Sequence, residues 1–189
     1  FSNGGNIEEP LKVVGDCDAS KHGSLVTFKA DGEIFQETTK YDYETLKQRI
    51  RQLAFLNKGI KLVFEFEPED KKVEYLYSGG IKEYVQYLNK SKDPIHDEVV
   101  YCEGEEDGIV CEISMQYNSG YVSNIYSFCN NINTGEGGTH EEGFRLALTR
   151  IINNYAKDNK MIKNDESLSM QFPIFMGIRE DKEEESYES

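Results

Sequence analysis

Two side chains that could do chemistry stand close together in residues 137–145, an imidazole and a guanidinium. His140 could transfer a proton near neutral pH, and Arg145 carries a permanent positive charge. The sequence shows no carboxylate–nucleophile constellation around His140, so we expect it to be a first-turn residue of a helix. Two glycines precede Thr139, a residue type favoured at a helix N-cap. Residues 135–138 lack the Lys-Ser or Lys-Thr pair and the buried strand of a phosphate-binding loop.

A second candidate is the hydroxyl of Ser24. Residues 23–29 alternate in side-chain character, which predicts a strand with Ser24 and Val26 on one face and Leu25 on the other. Taken alone, Ser24 is an ordinary hydroxyl at the edge of a strand.

Cysteine chemistry is a third possibility. The spacing of the four cysteines contains no C-x-x-C pair and no partnered histidines, which argues against a zinc site. A hairpin that turns at residues 105–108 would place Cys102 across from Cys111, close enough to invite a disulfide. In a cytosolic chain two small apolar thiols are the favoured interpretation. The other two cysteines are Cys17 and Cys129.

Apolar spacing predicts the elements that position these residues. A helix over residues 139–157 carries an apolar stripe, and a helix capped by Asp42 ends at the Asn-Lys-Gly of residues 57–59. The stripe of the later helix consists of Phe144, Leu148, Ile151, Ile152 and Tyr155. Further predicted elements are strands at 60–66 and 73–77 and a helix at 81–89.

The second half of the chain reads as a meander on which the long helix packs. Residues 99–103 are expected to pair with 109–117, and a turn then leads into a third strand over 121–132. A domain boundary is expected near residues 90–98, where Lys, Ser, Asp and Pro interrupt the periodicity. Both halves mix helices and strands, so the predicted fold class is α+β.

Composition excludes some classes of protein. With 189 residues the chain can hold one domain or two small ones, and its net charge of −14 argues against a surface that grips nucleic-acid phosphates by itself. No apolar run approaches the length of a membrane span. The chain begins at Phe1 without a methionine, so we expect a fragment. The acidic segment 179–189 is typical of a solvated, disordered end.

Several blocks of sequence together resemble one family. The words NNINT, EGGTH, EGF and ALTR in residues 130–150 resemble the transducer region of the B subunits of bacterial type II DNA topoisomerases, DNA gyrase above all. Four further blocks agree in the same order, and the resemblance covers roughly residues 7–169. These blocks span residues 10–35, 41–60, 79–98 and 107–128.

The resemblance implies a domain organisation. Residues 1–92 would be the C-terminal portion of a GHKL ATPase domain, and residues 93–169 the first part of a transducer with a ribosomal-S5-domain-2-like fold. Residues 170–189 match nothing in the family, and we expect a divergent acidic tail without order. In the family a Gln-Thr-Lys loop follows, whose lysine reaches the ATP γ-phosphate; that loop has no counterpart here.

The resemblance also assigns roles to residues. Gly23, Ser24 and Val26 match a pattern that binds the adenine of ATP, with serine in place of the family's threonine. Arg145 matches an arginine that faces the cavity through which the transported DNA segment passes. The family's catalytic glutamate, magnesium asparagine and glycine-rich lid lie upstream of Phe1. The intact protein would therefore use ATP and Mg²⁺, whereas this fragment would neither bind them stably nor hydrolyse ATP.

The function implied is that of a gyrase B subunit, which couples ATP hydrolysis to strand passage and negative supercoiling. Its implied partners are DNA, the A subunit of gyrase, and a second B subunit, in the cytoplasm and with no membrane. The B subunit of topoisomerase IV, a decatenating enzyme, shares every motif quoted. From another class, a non-catalytic acidic α+β scaffold module would bind no nucleotide even with the upstream half restored.

Overall fold

The computed structural model describes residues 2, 5–120 and 124–168, and the backbone of 174–182. The chain divides into two units, Phe1–Leu46 and Lys47–Ser189. The helices and strands, in chain order, are α1 Tyr43–Leu56, β1 Leu62–Phe66, β2 Lys71–Tyr75, α2 Gly80–Asn89, β3 Val100–Glu106, β4 Ile109–Tyr117, β5 Asn124–Cys129, β6 Ile132–Asn133, α3 Thr139–Asp158 and β7 Ile174–Lys182.

The first unit holds turns and bends, and the strand predicted over residues 23–29 is wrong. Within the described part of this unit, no extended segment pairs with residues 23–29. A strand is stable only when a neighbouring backbone satisfies its N–H and C=O groups. The side chains consequently lie in solvent, with Leu25 92% and Val26 77% exposed.

Helix α1 begins where the sequence predicted. The Thr45 backbone N–H donates to Asp42 Oδ1 at 2.7 Å, which is the contact of a helix cap. After the helix, Gly59 adopts a φ of +79°, the left-handed conformation that glycine tolerates best. The last turn of α1 contributes buried side chains at Ala54, Phe55 and Leu56.

The core of the second unit joins α1, α2 and β5. Phe55 and Leu56 pack with Ile81 and Tyr84 of α2 and with Phe128, which is fully buried. The Phe55 ring also stacks on Tyr77, with 3.6 Å between the ring centroids. The two strands predicted at 60–66 and 73–77 are present as β1 and β2, and they form a short antiparallel hairpin that pairs Leu62 with Tyr75.

The larger sheet has the strand order β3-β4-β7-β5-β6, so the predicted three-stranded meander is wrong in one respect. The hairpin of β3 and β4 is present, but β5 does not pair with β4. Strand β7 lies between them, antiparallel to β4 and parallel to β5. Residues 174–182, expected to belong to a disordered tail, are thus a strand, whereas 169–173 and 183–189 lie outside the described residues.

The β3–β4 turn shifts the register from the one predicted. Asp107 and Gly108 have φ values of +53° and +75°, which form a two-residue turn between Glu106 and Ile109. The prediction used a four-residue turn and paired Cys102 with Cys111. In the structure Cys102 faces Ile113 and Cys111 faces Gly104. All four cysteines are reduced thiols outside any disulfide, as the sequence favoured.

Helix α3 packs on the sheet, as predicted, through part of its apolar stripe. Phe144 and Leu148 contact a row of alternate β4 residues that includes Ile113 and Met115. On β5, Ile125 faces α3; because side chains alternate along a strand, the neighbouring residues of β5 point to the opposite face, where α1 and α2 pack. The outer part of the stripe is open to solvent, with Ile151 62% and Tyr155 60% exposed.

A buried polar network fixes the segment between α2 and β3. The Asn89 amide donates to Gln116 Oε1 at 3.0 Å, and Gln116 donates in turn to the His96 carbonyl at 2.9 Å. The Tyr117 backbone N–H donates to His96 Nε2 at 3.0 Å. The boundary predicted near residues 90–98 lies inside the second unit, and it stays a prediction about the family's domain limits.

Candidate functional site

A polar pocket of about 310 Å³ opens between β5, β6 and the start of α3. Ser127 of β5 and Thr134 after β6 line one side of it, and Glu141 and Arg145 of α3 line the other. The sequence folds this way because the Asn130-Asn131 pair turns β5 into β6, with φ values of +48° and +65°. The hairpin returns the chain to the base of α3.

Five side chains form a continuous hydrogen-bond chain around this pocket. His140 Nε2 lies 3.3 Å from Thr134 Oγ1, which lies 2.5 Å from Ser127 Oγ. The Ser127 hydroxyl donates to Glu141 Oε2 at 3.1 Å. Arg145 Nε and Nη2 both donate to Glu141 Oε1, at 3.0 and 2.9 Å.

The carboxylate sets the direction of every hydrogen bond in this chain. An ionised carboxylate only accepts, so the hydrogen of Ser127 points to Glu141. Thr134 must then donate its hydrogen to Ser127, and His140 must carry a proton on Nε2 to donate to Thr134. The chain therefore runs from the imidazole to the ion pair without an unsatisfied member.

Burial makes the ion pair asymmetric. The Glu141 side chain is only 15% exposed, whereas the Arg145 side chain is 49% exposed. One carboxylate oxygen is held by Ser127 and the other by both arginine donors. The guanidinium is consequently fixed by its Nε edge, and the rest of it reaches solvent at the rim of the pocket.

The two glycines before α3 have different structural roles. Gly137 has a φ of +83°, which glycine tolerates best. Gly138 is extended and occupies the N-cap position, one residue before the predicted cap Thr139, which is instead the first residue of α3. A Cβ on Gly138 would lie 2.6 Å from His140 Cε1, so the missing side chain makes room for the imidazole.

The residues predicted from the sequence as sites lie in different units. Gly23, Ser24 and Val26 belong to the first unit, where all three are exposed and outside any helix or strand. Arg145 belongs to the second unit and lies on α3 as predicted. Among the described residues there is no group of three His, Cys, Asp or Glu side chains that could hold a metal ion. In that same part of the chain, no helix is long and apolar enough to cross a membrane.

Comparison with known proteins decides the family. A sequence profile described as DNA gyrase B matches residues 80–178, more than half of the chain. The chain belongs to the DNA gyrase B family. The match includes the segment that forms the pocket, from β5 to α3, and it confirms the family that the sequence resembles.

Relatives and solved structures of gyrase B agree. The DNA gyrase B subunit of Bacillus cereus is 58% identical over 158 residues, which are 83% of this chain and 39% of the relative. The corresponding protein from Staphylococcus aureus strain MRSA252 is 54% identical over 158 residues, 82% of this chain and 24% of the relative. The chain thus spans well under half the length of these two gyrase B proteins.

Structural similarity extends over nearly the whole chain. The 43K ATPase domain of Thermus thermophilus gyrase B, in complex with an aminocoumarin, has a TM-score of 0.74 and 29% identity, covering 94% of this chain and 49% of that one. The topoisomerase IV ATP-binding domain of Francisella tularensis has a TM-score of 0.61 at 16% identity, over 81% of this chain and 42% of that one, which shows a shared fold alone. The predicted α+β class is confirmed as that of GHKL gyrase B ATPase domains.

Four members of the hydrogen-bond chain beside the pocket do not follow from the sequence. The spacing indicates no role for Ser127, Thr134 or Glu141, and the prediction that His140 has no constellation around it is wrong, because Thr134 lies within hydrogen-bond distance of its ring. The available signal was the Asn-Asn turn, because a two-residue hairpin brings Thr134 beside Ser127, with its N–H bonded to the Ser127 carbonyl at 2.9 Å.

Proposed function

We propose that the intact protein carrying this segment is the B subunit of DNA gyrase. That enzyme would couple ATP binding and hydrolysis to DNA strand passage and negative supercoiling. The observation that carries the proposal is the 58% identity over 158 residues with the DNA gyrase B protein of Bacillus cereus. Because the chain spans only 39% of that relative, the activity belongs to the longer protein.

Within that protein the segment would be a coupling element. Residues 1–92 would be the C-terminal portion of the ATPase domain, and residues 93–169 the first part of the transducer. The similarity to a gyrase B ATPase domain along 94% of this chain supports this assignment. The expectation that the chain diverges from the family after residue 169 is wrong for residues 170–178, because the DNA gyrase B profile matches them as well. The segment alone would not hydrolyse ATP, because the catalytic glutamate, magnesium asparagine and lid of the family have no counterpart in it.

The nucleotide would meet this segment at Gly23, Ser24 and Val26. In the intact protein, ATP and Mg²⁺ would be the cofactors, and the Ser24 hydroxyl would hydrogen-bond near the adenine. Serine retains the donor and acceptor of threonine and lacks one methyl group. A gyrase B ATPase domain of similar fold binds an aminocoumarin, and we expect the same class of ligand to bind the intact protein.

In the intact protein, DNA would contact this segment at Arg145. A guanidinium at the rim of a polar pocket can contact the phosphate backbone, which positions a duplex without reading its sequence. The transported segment would pass this residue in a dimer of B subunits, which joins the A subunit of gyrase in the cytoplasm. The half-exposed Arg145 side chain supports this role.

The test is supercoiling of relaxed circular DNA by the intact B subunit together with the A subunit of gyrase. Arg145→Gln should lower the number of supercoils introduced per ATP hydrolysed by about tenfold, in line with the loss of one charged hydrogen-bonding contact. Arg150→Gln, which removes the same charge from the exposed surface of α3, is the matched control. Unchanged supercoiling in Arg145→Gln would overturn the role of this residue.

The same assay separates the alternatives. An enzyme that decatenates linked circles yet introduces no negative supercoils would be a topoisomerase IV B subunit. A protein that binds neither nucleotide nor an aminocoumarin, even when intact, would be a scaffold of another class.

A further inference from the structure

We propose that Ser127, Thr134, Glu141 and His140 are positioning residues that orient the Arg145 guanidinium toward DNA phosphate. The inference rests on the proposed function of Arg145 and adds the residues through which it is held. Four hydrogen-bonded links connect the imidazole to the guanidinium, at 3.3, 2.5, 3.1 and 2.9 Å.

Free arginine side chains sample many rotamers, and an exposed one costs entropy each time it binds a ligand. Here Nε and Nη2 are already fixed on one carboxylate oxygen. A guanidinium has five N–H donors in a rigid plane, and two of them suffice to fix that plane. Within the described part of the chain, the other three donors of Arg145 have no protein acceptor and are left for a phosphate.

Without further contacts, the Glu141 carboxylate would change its position together with the Arg145 side chain. Two partners prevent this, since Glu141 is mostly buried and its second oxygen accepts the Ser127 hydroxyl. Ser127 is 3% exposed and lies on β5, which is paired with β7 on one side and with β6 on the other, so its position is fixed by the sheet. The arginine side chain is thereby attached, through Glu141 and Ser127, to a buried residue of the sheet.

Thr134 and His140 fix the proton arrangement of that anchor. Ser127 has a single hydrogen, for which Thr134 Oγ1 and the Thr134 carbonyl, 3.3 Å away, are alternative acceptors, so a hydrogen bond donated by the Thr134 hydroxyl to Ser127 removes one competitor of Glu141. His140 in turn donates from Nε2 to the Thr134 hydroxyl oxygen, and the absence of a Cβ on Gly138 leaves room for the ring. The segment Gly-Gly-Thr-His, residues 137–140, therefore supplies the end of the hydrogen-bond chain that lies farthest from Arg145.

A double-mutant cycle in the intact B subunit, combined with the A subunit of gyrase, tests this proposal. Ser127→Ala and Thr134→Val each remove one hydroxyl of the relay and add no bulk. With Arg145 present, each should raise the DNA concentration that half-maximally stimulates ATP hydrolysis by about three- to tenfold, the size typical of coupled neighbours. In the Arg145→Gln background, neither should change it further.

The chain offers matched controls. Ser114 is fully buried in β4, and among the described residues its Oγ has no hydrogen-bond partner, so Ser114→Ala should leave the DNA dependence unchanged. Glu141→Gln should raise the half-stimulating DNA concentration, whereas Glu142→Gln, at the exposed next position, should not. Each variant is first checked for a thermal unfolding midpoint equal to that of its control.

The outcomes distinguish the two levels of inference. If Arg145→Gln has no effect, the proposed role of Arg145 in binding DNA fails. If Arg145→Gln is defective but Ser127→Ala and Thr134→Val match Ser114→Ala, the positioning proposal alone fails. Equal effects of Ser127→Ala with and without Arg145 would also overturn it, because they would show action independent of the guanidinium.

Discussion

The His140 ring occupies the space that a Cβ on residue 138 would need. We predict that Gly138→Ala displaces the ring, breaks its contact with Thr134 and lowers the free energy of unfolding by about 1 kcal/mol, the value of one hydrogen bond. Thermal or urea unfolding of the chain measures the change.

Gly143 provides the matched control. It lies inside α3, and a Cβ there would meet no atom within 4 Å. Gly143→Ala should therefore stabilise the chain by about 0.5–1 kcal/mol, because alanine loses less conformational freedom in a helix. The same substitution five residues apart thus has opposite expected signs, and equal signs would contradict the packing described for His140.

Asp42 is the residue whose charge state matters for α1. The Thr45 hydroxyl and backbone N–H hold the pKa of the Asp42 carboxyl below its usual value. A carboxyl with a lowered pKa in the folded state stabilises the fold above its unfolded-state pKa of about 3.9, and this contribution is lost as the pH falls through the folded-state pKa.

Asp42→Asn isolates this contribution, because asparagine also caps helices but does not titrate in this range. The difference in stability between the two proteins should be constant from about pH 5 to 7 and should shrink below about pH 4. Circular dichroism during acid unfolding measures it. A difference that grows as the pH falls would contradict the assigned sign.

At the scale of elements, the β3–β4 hairpin depends on its two-residue turn. Gly108 has a φ of +75°, which costs a residue with a Cβ about 1 kcal/mol. We predict that Gly108→Ala destabilises the chain by this amount. Gly104→Ala, in β3 with no atom within 4 Å of its Cβ, should instead stabilise the chain by about 0.5–1 kcal/mol, because alanine loses less conformational freedom than glycine in a strand.

Elements with their own local signals could be predicted from the sequence, and those that depend on a partner could not. Helix α1 has a cap and a glycine stop in consecutive sequence, and α3 has a stripe of period 3.6. Residues 23–29 alternate as a strand does, yet alternation says nothing about whether a second strand lies alongside. The register of β3 and β4 was missed because the position of the turn, and not the apolar pattern, decides it.

The candidate site shows the same division. Arg145 could be placed on its helix from the sequence, because helical spacing is local. The hydrogen bonds that link Arg145 through Glu141 to Ser127 cross from α3 to the sheet. They depend on tertiary packing, which the spacing of residues along the sequence does not indicate. Ser24 and Val26 remain a prediction from resemblance.

For the whole molecule, β7 is the strand that joins the sheet. It pairs with β4 from Ile109 to Tyr117 and with β5 from Asn124 to Cys129. We predict that a chain ended after Leu168 loses cooperative unfolding and aggregates, because β4 and β5 would each present an open edge. Sedimentation velocity and urea unfolding measure both effects, and a soluble, cooperative monomer would contradict the central place of β7.

The place of β7 also has a consequence for the order of events during synthesis. A ribosome releases the chain from its amino end, so β4 and β5 emerge well before the strand that must separate them. Pairing between distant segments is slow in any case, and here it cannot be completed until residues 174–182 have left the exit tunnel. Until then, β4 and β5 each present an unpaired strand edge. Direct pairing of β4 with β5 is therefore the misfolded state that competes with the native sheet.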